Sequence, residues 1–117
     1  MRFEDFHAAA LALPGAALDI KWGVDRVFVV GEKMFATAGS LDDPAPTYSF
    51  KASPMAFEHL VEQGLAIPAP YLARASWVRL NGPDVLPGEA LKAYLAQAHA
   101  FVASGLPMKT RKALGLA

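Results

Sequence analysis

The stretch from Leu18 to Ala38 constrains the fold most, because it places three strand patterns in a row with only hairpin-length breaks between them. The patterns are LDIKW, RVFVV and KMFATA. The first alternates apolar and polar residues, and the second is β-branched and aromatic on both faces, as a central strand would be. Gly23–Asp25 and Gly31–Glu32 separate the patterns, and links this short join antiparallel neighbours. The sequence therefore predicts an antiparallel sheet.

The rest of the chain adds helices and two more strands to this sheet. Apolar residues at helical spacing, helix-capping residues and Pro/Gly breaks set the boundaries. The chain of 117 residues is predicted to form one domain over 1–117, an α+β two-layer sandwich. About five antiparallel strands would have helices packed on one face. The added elements are a helix near 2–13, a strand in TYSFKA, a helix from Ser53–Pro54 to Gly64, a strand over Ser76–Leu80, a helix over 88–104 and a short basic helix in MKTRKAL.

The segment IPAPYLARASWVRL, Ile67 to Leu80, combines prolines, aromatics and two arginines. Its prolines favour an extended entry into the fifth strand, and the aromatics Tyr71 and Trp77 are interpreted as scaffold. Two roles remain open for Arg74 and Arg79. If they emerge on the face that carries Lys51, the segment also serves binding. If they pair with acids or cover apolar surface with their stems, it is structural alone.

The aromatic side chains of the predicted strands are expected to lie in the core, since a sheet face rich in large apolar side chains must be buried. The helix over 88–104 shows one continuous apolar face, which would pack on the sheet. The expected strand and helix aromatics are Trp22, Phe28, Phe35, Tyr48, Phe50 and Phe57, and the helix face comprises Leu91, Tyr94, Leu95, Ala98, Phe101 and Val102.

Composition limits the partners and the compartment. Eleven Lys and Arg balance eleven Asp and Glu, so no global field favours a polyanion. The balance is uneven, however: residues 1–58 hold five bases and eight acids (−3), and residues 59–117 hold six and three (+3). The absence of cysteine fits a cytoplasmic protein, and neither a signal peptide nor a membrane-spanning stretch is apparent. We therefore expect a cytoplasmic protein without a membrane partner.

No catalytic or cofactor-binding constellation is apparent. The serines lack a G-x-S-x-G context, and neither a Walker A motif nor a G-x-G-x-x-G loop occurs. His59 and Glu62 could share one helix face, but two ligands are too few for a metal, and an exposed surface pair is the better interpretation. We therefore expect no enzyme activity, no catalytic residues, no metal and no cofactor.

Cations near the predicted hairpins and strands are the candidate binding residues. Nucleic-acid binding needs several cations on one surface, because affinity comes from neutralising phosphates. The alternative is ordinary solvated or paired charge, since acids adjoin several of these cations, as in Asp19/Lys21 and Glu32/Lys33. The candidate nucleic-acid-binding residues are Lys21, Arg26, Lys33, Lys51, Arg74 and Arg79, and a further basic cluster comprises Lys109, Arg111 and Lys112.

At this point the motifs resemble a known family. DIKWGVDRVFVVGEKMFA, SFKASP, IPAPYLARASWVRL and LPMKTRKAL are similar, in order and spacing, to the MmcQ/YjbR family of small bacterial proteins, over about residues 3–114. The resemblance implies a fold like that of CyaY, the bacterial frataxin, with helices on one side of a twisted antiparallel sheet. It also implies a double-wing DNA-binding module, in which two hairpins contact the duplex. Lys21, Arg26, Lys33 and Lys51 match the wing positions.

The function expected from these observations is non-catalytic binding of double-stranded DNA by basic hairpin wings. The alternative is a protein- or small-ligand-binding domain without nucleic-acid contact, for which a concave pocket beside Tyr71 and Trp77 would be evidence. In either case we expect a monomer.

Overall fold

The computed structural model describes residues 1–70 and 75–116. Helices and strands begin and end close to the predicted positions, because the capping and turn signals are strong. Ser53, for example, accepts a hydrogen bond from the Ala56 N–H and caps the helix that follows. The elements are α1 (Phe3–Leu11), β1 (Ala16–Lys21), β2 (Asp25–Val30), β3 (Lys33–Ser40), β4 (Ser49–Lys51), α2 (Pro54–Glu62), β5 (Ala66–Pro68), β6 (Trp77–Leu80), α3 (Gly88–Ser104) and α4 (Met108–Ala113).

The strands form one sheet in the order β1-β2-β3-β4-β6-β5, and every neighbouring pair is antiparallel. This confirms the predicted α+β two-layer sandwich. The sheet has a sixth strand, β5, where the sequence predicted only an extended entry. Pro68 can take part because β5 lies at the edge of the sheet, where a missing N–H leaves no neighbour unpaired.

One face of the sheet is buried beneath the helices. Residues paired across the central strands line up on this face in the row Phe28–Ala36–Phe50–Val78. Phe6 of α1 stacks on Tyr48 with ring centroids 4.1 Å apart. All these side chains are buried, so the core lies between the sheet and the helices.

A bulge in β3 changes which residues reach this core. The register with β2 shifts between Phe28 and Val29, and as a result the consecutive residues Phe35 and Ala36 are both buried in the core. The ring of Phe35 meets the edge of His99, a buried α3 residue whose Nε2 lies 2.6 Å from the carbonyl oxygen of Pro14. The Phe35 side chain, turned inward by the bulge, and the buried His99 of α3 thus pack against each other between the sheet and the helix.

Two of the expected core aromatics are not core, and both predictions were wrong. Trp22 was placed on the buried side of the first strand, but 75% of its surface is exposed, because β1 is an edge strand and Trp22 belongs to the turn after it. Phe101 was placed on the buried face of α3, but it is 40% exposed. The face that α3 buries is centred on Leu91, Leu95 and His99, and Phe101 lies at its margin.

Consecutive hairpin turns lie at opposite ends of the sheet. The β1–β2 turn and the β2–β3 turn are separated by the length of β2, six residues or about 20 Å. The β2–β3 turn packs closely on the C-terminal part of the chain: a Cβ atom at Gly31 would lie 2.7 Å from Leu106 Cδ1 and 3.3 Å from Thr110 Cγ2.

Among the described residues, the structure contains no helix with the length and apolarity that crossing a bilayer requires.

Gly31 and Gly23 provide a matched test of this packing. Both have positive φ, +57° and +82°, but no atom lies within 4 Å of a Cβ at Gly23. We expect Gly23→Ala to lower the free energy of unfolding by about 1 kcal/mol through the backbone alone. Gly31→Ala should cost about 1 kcal/mol more, because Leu106 must also move. Urea denaturation measures both values, and equal losses would contradict the close approach to Leu106.

The buried hydroxyl of Tyr48 is expected to make the fold less stable at alkaline pH. Burial, followed by the charge of Asp84, raises the pKa of Tyr48 from 10.0 to about 12. Between these two pKa values the Tyr48 hydroxyl ionises in the unfolded chain but stays protonated in the folded chain. We therefore expect the free energy of unfolding to fall as pH rises above about 10. Urea denaturation of the wild type and of Tyr48→Phe across this range should show a steeper fall in the wild type. Parallel profiles would contradict the assignment.

Candidate functional site

The face of the sheet opposite the core carries polar side chains at its centre. Cross-strand pairing joins Thr37 to Ser49 and Ser49 to Arg79, and strand alternation turns all three away from the core. Ser49 is buried although it does not belong to the core. Two hydroxyls and a guanidinium thus form a polar row across three neighbouring strands.

This row lies in a depression of about 470 Å³, which we call the sheet cleft. Its walls combine hydroxyl groups, two arginines, two aspartates and apolar side chains. The residues that line it are Trp22, Asp25, Arg26, Val27, Met34, Thr37, Gly39, Ser40, Asp43, Thr47, Ser49, Ala69, Pro70 and Arg79.

Trp22 lies at the rim of the sheet cleft in an unfavourable backbone conformation. Its φ is +53°, and Gly23 follows with +82°, so the turn is of the left-handed type that favours Asn and Gly. A bulky side chain in this region costs about 1–2 kcal/mol. Since Trp22 is largely exposed, packing in the core does not offset this cost.

The two arginines of the sheet cleft differ in what they contact. The Arg26 guanidinium donates to the carbonyl oxygens of Ala38 and Ser40 at 3.0 and 3.2 Å and lies 4.2 Å from the centre of the Phe3 ring. Arg79 is half-buried, its backbone lies in the ladder between β4 and β5, and its guanidinium makes no hydrogen bond or ion pair with a described residue. Arg26 therefore joins β2 to β3 and α1, whereas Arg79 lines the sheet cleft and a neighbouring depression beside the loop after β6.

A second cavity, of about 380 Å³, lies at the end of the sheet formed by the β2–β3 turn. Lys33 and Lys51 line it together with Trp77, Phe101 and Pro107. Helix α4 begins directly after Pro107, lies beside the β2–β3 turn through Thr110, and carries three more cations. We call the set Lys33, Lys51, Lys109, Arg111 and Lys112 the basic end.

Positive charge predominates at the basic end. None of its five cations forms an ion pair with a described acidic side chain, and the chain has no acid after Glu89. Lys51 Nζ donates to the Ala75 carbonyl oxygen at 3.1 Å, which holds its charge beside the cavity. The acid in the adjoining turn is Glu32. The local charge is therefore positive although the net charge of the chain is zero.

The structure describes five of the six predicted binding residues and divides them into two groups. Lys33 and Lys51 lie together at the basic end. Lys21 and Arg26 lie near the β1–β2 turn and Arg79 lies at the centre of the sheet. The nearby acids are Asp19, Asp25 and Asp43, and Lys21 Nζ is 3.1 Å from Asp19 Oδ2. Arg79 and Lys51 do emerge on the same face, as one interpretation of the IPAPYLARASWVRL segment required. Arg74 and Tyr71 lie outside the described residues.

Sequence reasoning named the Lys109, Arg111 and Lys112 cluster but did not place it with Lys33 and Lys51. Part of the signal for a basic surface was present in the sequence, since residues 90–117 contain four cations and no acid.

His59 and Glu62 are exposed on α2, as the surface-pair interpretation expected. Within residues 1–70 and 75–116, no group of three or more His, Asp or Glu side chains is close enough to hold a metal ion.

The family model named YjbR matches residues 11–101, which is most of the chain. The chain belongs to the YjbR family. This confirms the resemblance seen in the sequence motifs, and the match covers β1 to β6 with most of α3. The sheet cleft is therefore built within the matched part, whereas three cations of the basic end follow it.

A solved structure supports the same YjbR fold. The crystal structure of the Deinococcus radiodurans protein DR2400, which carries a DUF419 domain, superposes with a TM-score of 0.84. The two chains are 23% identical over 99% of this chain and 89% of the other. Identity this low establishes the fold alone. No curated protein matches the chain.

The strain at Trp22 can be measured directly. We expect Trp22→Asn to raise the free energy of unfolding by about 1 kcal/mol, because Asn tolerates the left-handed turn and little buried contact is lost. Glu32→Asn, at the second left-handed position of the β2–β3 turn (φ +67°), should give a similar gain. Chemical denaturation provides the measurement, and a loss of stability in Trp22→Asn would show that the indole supports the fold.

Proposed function

We propose that this YjbR domain binds double-stranded DNA without catalysis, and that the basic end is the contact surface. The observation that carries the proposal is the set of five cations at one end of the sheet, none of them paired with a described acid. Unpaired cations gathered on one surface supply affinity for a polyanion, since each can replace a counterion at a phosphate.

The shape of the basic end supports a duplex contact. The β2–β3 turn projects Lys33, and α4 lies beside that turn through the contact of Thr110 with Gly31. A hairpin and an adjacent helix can straddle a phosphate backbone together. Lys21 and Arg26, the other wing positions, lie about 20 Å away across β2 and remain outside the proposed surface.

The acids also favour this end over the part of the open face that forms the sheet cleft. Asp25 and Asp43 line the sheet cleft, and Asp19 pairs with Lys21 on the same side. Phosphates approaching that face would meet like charge, which costs affinity. At the basic end, Glu32 lies in the adjoining turn, and no described acid forms an ion pair with any of the five cations.

The proposal predicts a local effect of charge removal. In a duplex titration, Lys33→Gln/Lys51→Gln should lower the slope of log affinity against log salt by about 1 for each cation removed. Lys21→Gln/Lys92→Gln is the matched control, because it removes the same charge elsewhere on the chain and should leave the slope nearly unchanged. Fluorescence anisotropy between about 50 and 200 mM salt provides the measurement.

Two outcomes would contradict the proposal. If the wild type fails to bind at about 50 mM salt, where phosphate contacts are strongest, the domain does not bind duplex DNA. If the control variant lowers the slope as much as the Lys33/Lys51 variant, binding follows net charge rather than the basic end. Lys109→Gln/Lys112→Gln should behave like the first variant, because α4 belongs to the same surface.

A further inference from the structure

We propose that the sheet cleft is a second, separate binding site, and that its ligand is a small molecule with one carboxylate group on a planar apolar body. The charges of the cleft are mixed rather than uniformly positive as at the basic end, and the proposal does not depend on DNA binding. Three features of the cleft carry it: a guanidinium without a described partner, donor hydroxyls beside it, and an exposed indole at the rim.

Arg79 supplies the charge that would hold the ligand. It lies at the centre of the sheet, half-buried, and its guanidinium makes no hydrogen bond or ion pair with a described residue. Its cross-strand neighbour Ser49 is buried and lines the same cleft. A planar guanidinium matches a carboxylate with two parallel hydrogen bonds, and the hydroxyls of Ser49 and Thr37 can donate to the same group.

The charge of the cleft favours a monoanion over a phosphate. Arg26 and Arg79 are balanced by Asp25 and Asp43 among the lining residues. The Arg26 guanidinium already donates to two carbonyl oxygens, and Asp43 accepts from the Ser40 N–H at 2.8 Å. The lining is therefore neutral overall, and Arg79 is the cation whose guanidinium donors remain available to an anion. A single negative charge fits this arrangement, whereas a dianion would be repelled more strongly by the two aspartates.

Trp22 supplies the apolar surface for the body of the ligand. Its indole is exposed at the rim, and the backbone conformation that holds it there is unfavourable. Strain without a packing benefit points to a role outside the fold. With Val27 and Met34 also lining the cleft, an aromatic ring can stack at Trp22 while its carboxylate reaches Arg79.

The test uses phenylacetate as the probe and phenylacetamide as its neutral isostere. Titrations followed by ¹H–¹⁵N NMR should shift the Trp22 indole N–H and the Arg79 Nε–H in a saturable way. We expect phenylacetate to bind at least tenfold more tightly than phenylacetamide, and phenyl phosphate to bind more weakly than phenylacetate. Lys33→Gln, at the basic end, should leave these affinities unchanged.

Variants connect the binding to the two residues. Arg79→Gln should abolish the preference for phenylacetate over phenylacetamide. Arg79→Lys should retain part of it, because the positive charge remains while the paired N–H donors of the guanidinium are lost. Trp22→Asn should weaken phenylacetate binding about tenfold although the fold becomes more stable. The dispersion of the amide spectrum verifies that each variant is folded.

Several results would overturn the proposal. They are the absence of saturable shifts with phenylacetate, equal affinity for acid and amide, an unchanged preference in a folded Arg79→Gln, and tighter binding of phenyl phosphate. Each of them is independent of the duplex titration, so loss of one site does not imply loss of the other.

Discussion

The antiparallel register of the six strands is the constraint on which the rest of the structure depends. It sends alternate side chains to opposite faces, so the row through Phe28 and Phe50 packs beneath the helices while the row through Ser49 and Arg79 faces the cleft. A one-residue slip between β4 and β6 would exchange these two rows and bury a guanidinium in the core. The cost of that exchange fixes the register, and the register fixes the cleft.

The same register separates charge along the sheet. Successive turns of a meander lie at opposite ends, so Lys21 and Lys33 cannot share a surface although only a dozen positions separate them in sequence. Long-range packing then adds α4 to the end that carries Lys33, through Gly31 and Thr110. A chain of zero net charge thereby presents one basic end and one region where cations and acids alternate. The local charge of each region therefore follows from this arrangement rather than from composition.

Local signals predicted the elements well, and non-local contacts account for the errors. The limits of α3 agree with the prediction because Gly88 and Gly105 bound an uninterrupted apolar pattern. Trp22 was misplaced because alternation was extended one residue into a turn whose left-handed φ redirects the side chain. β5 was missed because three residues with a proline carry no period of their own, and they form a strand only by pairing with β6. For the site, sequence spacing could nominate single cations but not pair Lys33 with Lys51, which lie on different strands.

By itself, the sequence determined the YjbR motifs, the α+β class, the antiparallel hairpins and the positions of the long helices, because each follows from periodicity, capping and turn residues that act over a few positions. Only the tertiary structure decided which cations stand together, that Arg79 faces a cleft instead of an acid, and that Trp22 is exposed at considerable backbone cost. The physical reason is that such properties depend on which distant strand or helix lies alongside, and burial and charge pairing across those contacts are not encoded in any local pattern.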